Sequence, residues 1–115
     1  MSELHPNAIY NFKYAERALE IMVVFPGNIR DRLRHAGEES LCIPEEVIPE
    51  SAKKEFIEIR DYLTKYKTTE NKVTSFYSTD VHATMARRRS ASAIPIARKI
   101  LDFHAKYWDE ISAKE

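Results

Sequence analysis

The stretch ESAKKEFIEIRDYLTKY, residues 50–66, places Ala52, Phe56, Ile59, Leu63 and Tyr66 at alternating steps of four and three. That alternation puts all five on one stripe of an α-helix, because a 3.6-residue period returns every third or fourth side chain to the same face. A half-buried strand would need apolar residues at every second position, and none of that pattern runs through here. Glu50 at the start suits the positive end of the helix dipole. One apolar stripe cannot be buried alone, so the rest of the chain must supply its cover.

Toward the N terminus, Ile43–Pro49 holds two prolines around Glu45, Glu46, Val47 and Ile48, and is expected to be an irregular or single-turn connector with Val47 or Ile48 in the core. Before it, Asn28 as N-cap and Asp31 in the first turn open a helix that buries Ile29, Leu33, Ala36, Gly37 and Leu41. Gly37 costs about 1 kcal/mol against alanine in a helix interior, which close packing at that point would offset. Pro26-Gly27 ends a preceding helix whose stripe is Ala8, Phe12, Ala15, Leu19 and Met22.

Toward the C terminus, the polar run Lys67–Thr79 reads as the longest loop, pinned by Phe76 or Tyr77. Ser78, Thr79 or Asp80 caps a short helix from Val81 to about Arg89, and Ser92 caps the last helix with Pro95 in its first turn. That helix carries Ile94, Ala97, Leu101, His104, Trp108 and Ile111 as its expected buried stripe, with Trp108 the largest apolar contribution. Only two glycines occur in 115 residues, too few for the turns of an all-β domain. The expected fold is all-α, a compact antiparallel helical bundle of four to five helices forming one domain over residues 1–115.

Apolar residues at 43% and charged residues at 31% fit a globular chain, and 18 basic side chains balance 18 acidic ones. No long-range field therefore draws the molecule to nucleic acid or to an anionic membrane. The lone Cys42 can form neither an intrachain disulfide nor a four-thiolate zinc site, and its apolar neighbours Leu41 and Ile43 suggest a buried, inert thiol. No apolar run reaches the ~18–20 residues of a membrane helix, and MSELHPN lacks the features of a signal peptide. The expectation is a soluble, cytoplasmic protein. None of His5, His35, His82 and His104 is paired with another histidine or Cys42 at helical ligand spacing, so no metal or other cofactor is expected. His104 in an apolar stripe reads as a satisfied histidine at the core edge.

The run Arg30-Asp31-Arg32-Leu33-Arg34-His35 resembles the signature of HEPN ribonucleases, an arginine and a histidine separated by four residues. The resemblance implies phosphate binding by Arg30 and proton transfer by His35 beside a dimer cleft. Arginine offers fixed donors to a phosphate and histidine titrates near neutrality. The alternative is a solvated helix face, with Arg34–Glu38 and His35–Glu39 as i,i+4 pairs. A broader likeness covers Gly27–Thr64 and the closing Ala97–Asp102, which resemble small uncharacterised bacterial all-helical proteins and imply no activity.

Arg87, Arg88 and Arg89, with Arg98 and Lys99, give +5 between Val81 and Leu101 without a carboxylate. They suit a phosphate backbone, but residues 38–61 carry eight acidic and three basic side chains and can answer that charge within the protein. Two glycines can build neither a phosphate loop nor a nucleophile elbow, so enzymes are disfavoured. Tyr10, Tyr14, Phe25, Tyr62, Tyr107 and Trp108 exceed what one narrow stripe per helix needs, and some are expected to form an exposed apolar patch near the first and last helices that pairs with another chain. The leading expectation is a small binding or regulatory module acting through protein contact, with another protein or as a homodimer. Its candidate contact residues are Arg30, Arg34, His35, Arg87, Arg88, Arg89, Tyr107 and Trp108. Nucleic-acid binding through Arg87–Arg89 and RNA cleavage by Arg30 and His35 are the alternatives.

Overall fold

The computed structural model describes residues 4–65, 84 and 90–114, and side chains of the last helix from 93 to 113. Four α-helices account for most of them: α1 (Ala8–Val24), α2 (Ile29–Ser40), α3 (Glu50–Leu63) and α4 (Ser90–Lys114). No strand occurs among the described residues. The loop expected over Lys67–Thr79 with Phe76 or Tyr77 as its pin, the caps Ser78, Thr79 and Asp80, most of the short helix Val81–Arg89, and Tyr66 lie outside the described residues.

Each boundary follows from local chemistry. At the end of α1, Phe25 turns extended (φ −66°, ψ 130°) ahead of Pro26. Gly27 then takes φ 140°, a conformation open to a residue without a Cβ. The reversal is tied from the other side by Arg32, whose Nε donates to the Gly27 carbonyl at 3.1 Å and whose guanidinium reaches the Met22 carbonyl at 3.4 Å. The Asn28 side chain accepts from the Asp31 amide at 3.0 Å and caps α2. Asn28→Ala is expected to lower stability by about 1 kcal/mol in urea unfolding, with little change for Asn28→Asp, because the carboxylate keeps the acceptor.

Between α2 and α3 the chain makes a single 3-10 turn at Glu45–Val47, flanked by Pro44 and Pro49. Val47 and Ile48 are both buried, so the corner supplies two core side chains rather than one. Arg60 on α3 holds that turn through Glu45 at 2.6 Å. The α3 stripe is buried as the four-three spacing requires, through Ala52, Phe56, Ile59 and Leu63. Gly37 on α2 faces Leu63: a Cβ built on it would stand 2.3 Å from Leu63 Cδ1. The glycine thus lets α2 approach Leu63 of α3 closely, and it offsets its helix penalty by that contact.

The last helix departs from expectation in two ways. It already includes Ser90, so Ser92 lies within it and is not its cap, and Pro95 sits past the first turn. Proline there forfeits one i→i−4 hydrogen bond, while its fixed φ remains helical. The buried stripe is also displaced. Ala93, Ile96, Ile100, Phe103, Tyr107 and Ile111 face the core, whereas Ile94, Leu101 and Trp108 are about half exposed. One residue of displacement is about 100° around the helix.

α4 packs against all three other helices. It runs antiparallel to α1, since the Tyr107 hydroxyl donates to the carbonyl of Ala8 while His104, farther from the C terminus, meets Glu16. Phe12, Tyr107, Phe103 and Phe56 form a chain of ring contacts through the core, with centroids 5.0, 5.7 and 5.8 Å apart. On the other flank, Lys99 pairs with Glu58 at 3.0 Å and Lys106 with Glu55 at 2.7 Å, joining α4 to α3.

Candidate interaction surface

A helix with a heptad-spaced apolar stripe facing inward rarely needs a second one. α4 has two. The outer stripe comprises Ile94, Leu101 and Trp108, at 53%, 50% and 46% exposure. Trp108 rests on Phe12 with centroids 5.7 Å apart, which places the stripe along the seam with α1. On the α1 side of that seam, Ile9 and Val23 are exposed at 53% and 69%, seven residues either side of Glu16. Glu16 Oε2 lies 4.0 Å from His104 Nε2 on α4, so this line of α1 borders the outer stripe of α4. The result is a face shared by two antiparallel helices in which Ile9, Val23, Ile94, Leu101 and Trp108 are exposed around Glu16.

Tyr107 does not belong to that face. Its ring is fully buried, and burial pushes its phenol far above the ordinary tyrosine range. The expectation that it serves as an exposed contact residue is corrected: one position along the helix, Trp108 takes the surface and Tyr107 takes the core. Tyr10 is exposed, Phe25 is half-buried, and Tyr14 and Tyr62 are partly buried against the core. His104 also departs from expectation. It is stacked on Phe12 at 5.0 Å, but its buried Nε2 has no hydrogen-bond partner.

The α2 cluster keeps one of the two i,i+4 pairs expected of a solvated helix face and replaces the other. Arg34 reaches Glu38 at 3.4 Å as the i,i+4 spacing suggested, and its other terminal nitrogen lies 2.9 Å from His35 Nε2. A guanidinium only donates, so that contact assigns Nε2 as the acceptor and places the ring proton on Nδ1. The His35 ring stacks on Phe25 at 4.2 Å rather than pairing with Glu39, which is approached instead by Arg17 at 3.8 Å. Arg30 is half-buried, with its Nε lacking a partner, and no described hydrogen bond or ion pair joins it to His35. Arg87, Arg88 and Arg89 lie outside the described residues.

Cys42 is exposed, contrary to the buried thiol expected from Leu41 and Ile43, because it follows the end of α2 and its Sγ points back to the Glu38 carbonyl at 3.4 Å. Partial desolvation and then the Glu39 and Glu38 carboxylates raise its thiol above the ordinary range, which disfavours the nucleophilic thiolate. A cleft of about 190 Å³ near His5, Glu46, Glu50 and Glu110 is smaller than the ~300 Å³ typical of a small-molecule site, and a second of about 410 Å³ beside Ser51, Lys106, Asp109 and Glu110 is wide open to solvent. Among the described residues no group of three or more His, Cys, Asp or Glu is placed to hold a metal ion, and no helix is long and apolar enough to cross a membrane.

At the α3–α4 seam, the hydrogen bond from Lys106 holds the buried Glu55 carboxyl below its ordinary range, and Glu55 in turn raises Lys106. A carboxyl depressed by folding contributes stability that is present above its unfolded value, near ~4.3, and lost as pH falls through the folded value. The stability advantage of the wild type over Glu55→Gln is therefore expected to hold through neutral pH and to shrink below ~4.3. Urea midpoints across that window check it; an advantage that grows on acidification would contradict the pairing.

Compared with family models, curated proteins and solved structures, the chain matches none of them.

Proposed function

We propose that this protein is a small helical module that acts by binding another protein chain through the face shared by α1 and α4. The observation that carries the reading is the outer stripe of α4: Ile94, Leu101 and Trp108 stay half exposed although the helix already has a full inward stripe. Contiguous exposed apolar surface costs solubility and marks contact sites, and a tryptophan near its edge is the residue type most enriched among binding hot spots. The charged alternatives have less support. Lys99, within the basic run, is paired to Glu58 in the acidic block of residues 38–61, so part of that charge is answered inside the molecule.

A photo-crosslinking side chain at Leu101 tests the reading in native cells, with the same probe at exposed Lys54 on α3 as control. Discrete crosslinked protein from position 101 and none from position 54 is the expected result. Equal, diffuse labelling from both positions would overturn it.

A further inference from the structure

We propose that the chain on this face is a second copy of the same protein, packed antiparallel, α4 on α4 and α1 on α1, about a two-fold axis level with Leu101 and Glu16. The inference rests on the protein-contact reading above and adds the partner and the register. A two-fold interface must be self-complementary, each residue meeting the one that its mate meets in return.

Both lines of the face meet that condition. On α4, Ile94 and Trp108 stand seven residues either side of Leu101. Reversing the helix about Leu101 therefore sets each Ile94 against the partner's Trp108 and the two Leu101 side chains against each other. On α1, Ile9 and Val23 stand seven residues either side of Glu16, and the same reversal exchanges them. The two midpoints lie within about one turn of each other, because Glu16 Oε2 is 4.0 Å from the Nε2 of His104, three residues from Leu101. One axis thus satisfies both helices, a coincidence that a face shaped for an unrelated protein does not require.

The charges beside the α4 stripe agree with the register. Arg98 and Asp102 flank Leu101, both exposed, and neither has an ion-pair partner among the described residues. In the antiparallel pair each Arg98 falls beside the partner's Asp102, giving two intermolecular pairs around the axis. Glu16 falls opposite its own copy, a like-charge contact at the axis that the apolar pairs and the Arg98–Asp102 pairs must outweigh. The face is also large enough. α1 is about 25 Å long and two helices are about 20 Å wide, on the order of 500 Å² in projection, and side-chain relief carries the accessible area toward the ~800 Å² per partner of a stable interface.

Sedimentation equilibrium of the full chain at micromolar concentration is expected to give twice the 13.4 kDa chain mass. Leu101→Glu, at a half-exposed position that leaves the core intact, should return it to the chain mass without loss of helix by circular dichroism. Arg98→Asp makes the flank wholly acidic and Asp102→Arg makes it wholly basic; each alone should weaken self-association at least about tenfold, while an equimolar mixture of the two should regain it. A dimer unmoved by Leu101→Glu, or a mixture that stays as weak as its components, would overturn the proposed pairing. A monomeric wild type whose Leu101 photoprobe captures a different protein sinks the second copy and leaves the protein-contact reading standing. A monomer that captures nothing discrete sinks both.

Discussion

Tyr107→Ala is expected to destabilise the fold by about 3–5 kcal/mol, the loss that follows when a large aromatic is cut from a closed core. Tyr107 is fully buried, its ring meets both Phe12 and Phe103, and its hydroxyl donates to the Ala8 carbonyl at the start of α1. Truncation removes the link between the aromatic cores of α1 and α4 and leaves a cavity beside Phe12 and Phe103 that close packing keeps from closing. Tyr107→Phe separates the two contributions. It keeps the ring and loses the hydroxyl, so it should cost only about 0.5–1.5 kcal/mol. Trp108→Ala is the informative contrast: Trp108 is the larger side chain but 46% exposed, and its removal should cost about 1 kcal/mol when measured at dilution. Urea unfolding of the three variants checks the order. Comparable losses at 107 and 108 would mean that the core-facing stripe of α4 is wrongly placed.

That contrast also marks where the sequence was readable. Ala52, Phe56, Ile59 and Leu63 on α3 form one apolar line with charged residues around it, and a single line can face only inward. On α4 the lines 93-100-107 and 94-101-108 are both heptad-spaced and both apolar, and periodicity cannot say which one faces the core. Size favours the line with Trp108; the structure gives the core to the line with Tyr107, which joins Phe12 through the neighbouring Phe103 to Phe56, whereas the ring contact of Trp108 is to Phe12. The sequence offered the candidate face as a surplus of aromatics near the first and last helices, without the residues that form it. Its position depends on that one-residue choice, together with the antiparallel contact of Glu16 with His104, and neither is encoded locally. The α2 cluster was misread for a related reason: the i,i+4 rule pairs His35 with Glu39, whereas Phe25, beyond the glycine turn, supplies a ring at 4.2 Å.

Gly37→Val is expected to destabilise the fold by about 3 kcal/mol or more through the contact between α2 and α3. A Cβ at this position would lie 2.3 Å from Leu63 Cδ1, and 3.4 and 3.5 Å from Leu63 Cγ and Cδ2. Leu63 is itself fully buried, so its methyl has little free volume into which to swing. Alanine tests the threshold, since its helix propensity gains about 1 kcal/mol over glycine while the overpacking costs about 1–3 kcal/mol. Gly37→Ala is therefore expected to fall between neutral and about 2 kcal/mol destabilising, whereas valine adds two methyls on a stiff χ1 and only widens the clash. The decisive measurement is the double-mutant cycle of Gly37→Val with Leu63→Ala. The leucine truncation alone should cost about 2–5 kcal/mol, and the cavity it opens is the space that the introduced valine side chain would need. The pair should then be less destabilising than the sum of its parts, by about 1 kcal/mol or more. Strict additivity would show that the contact between α2 and α3 is not made through Leu63, and would remove the reason for a glycine in the interior of α2.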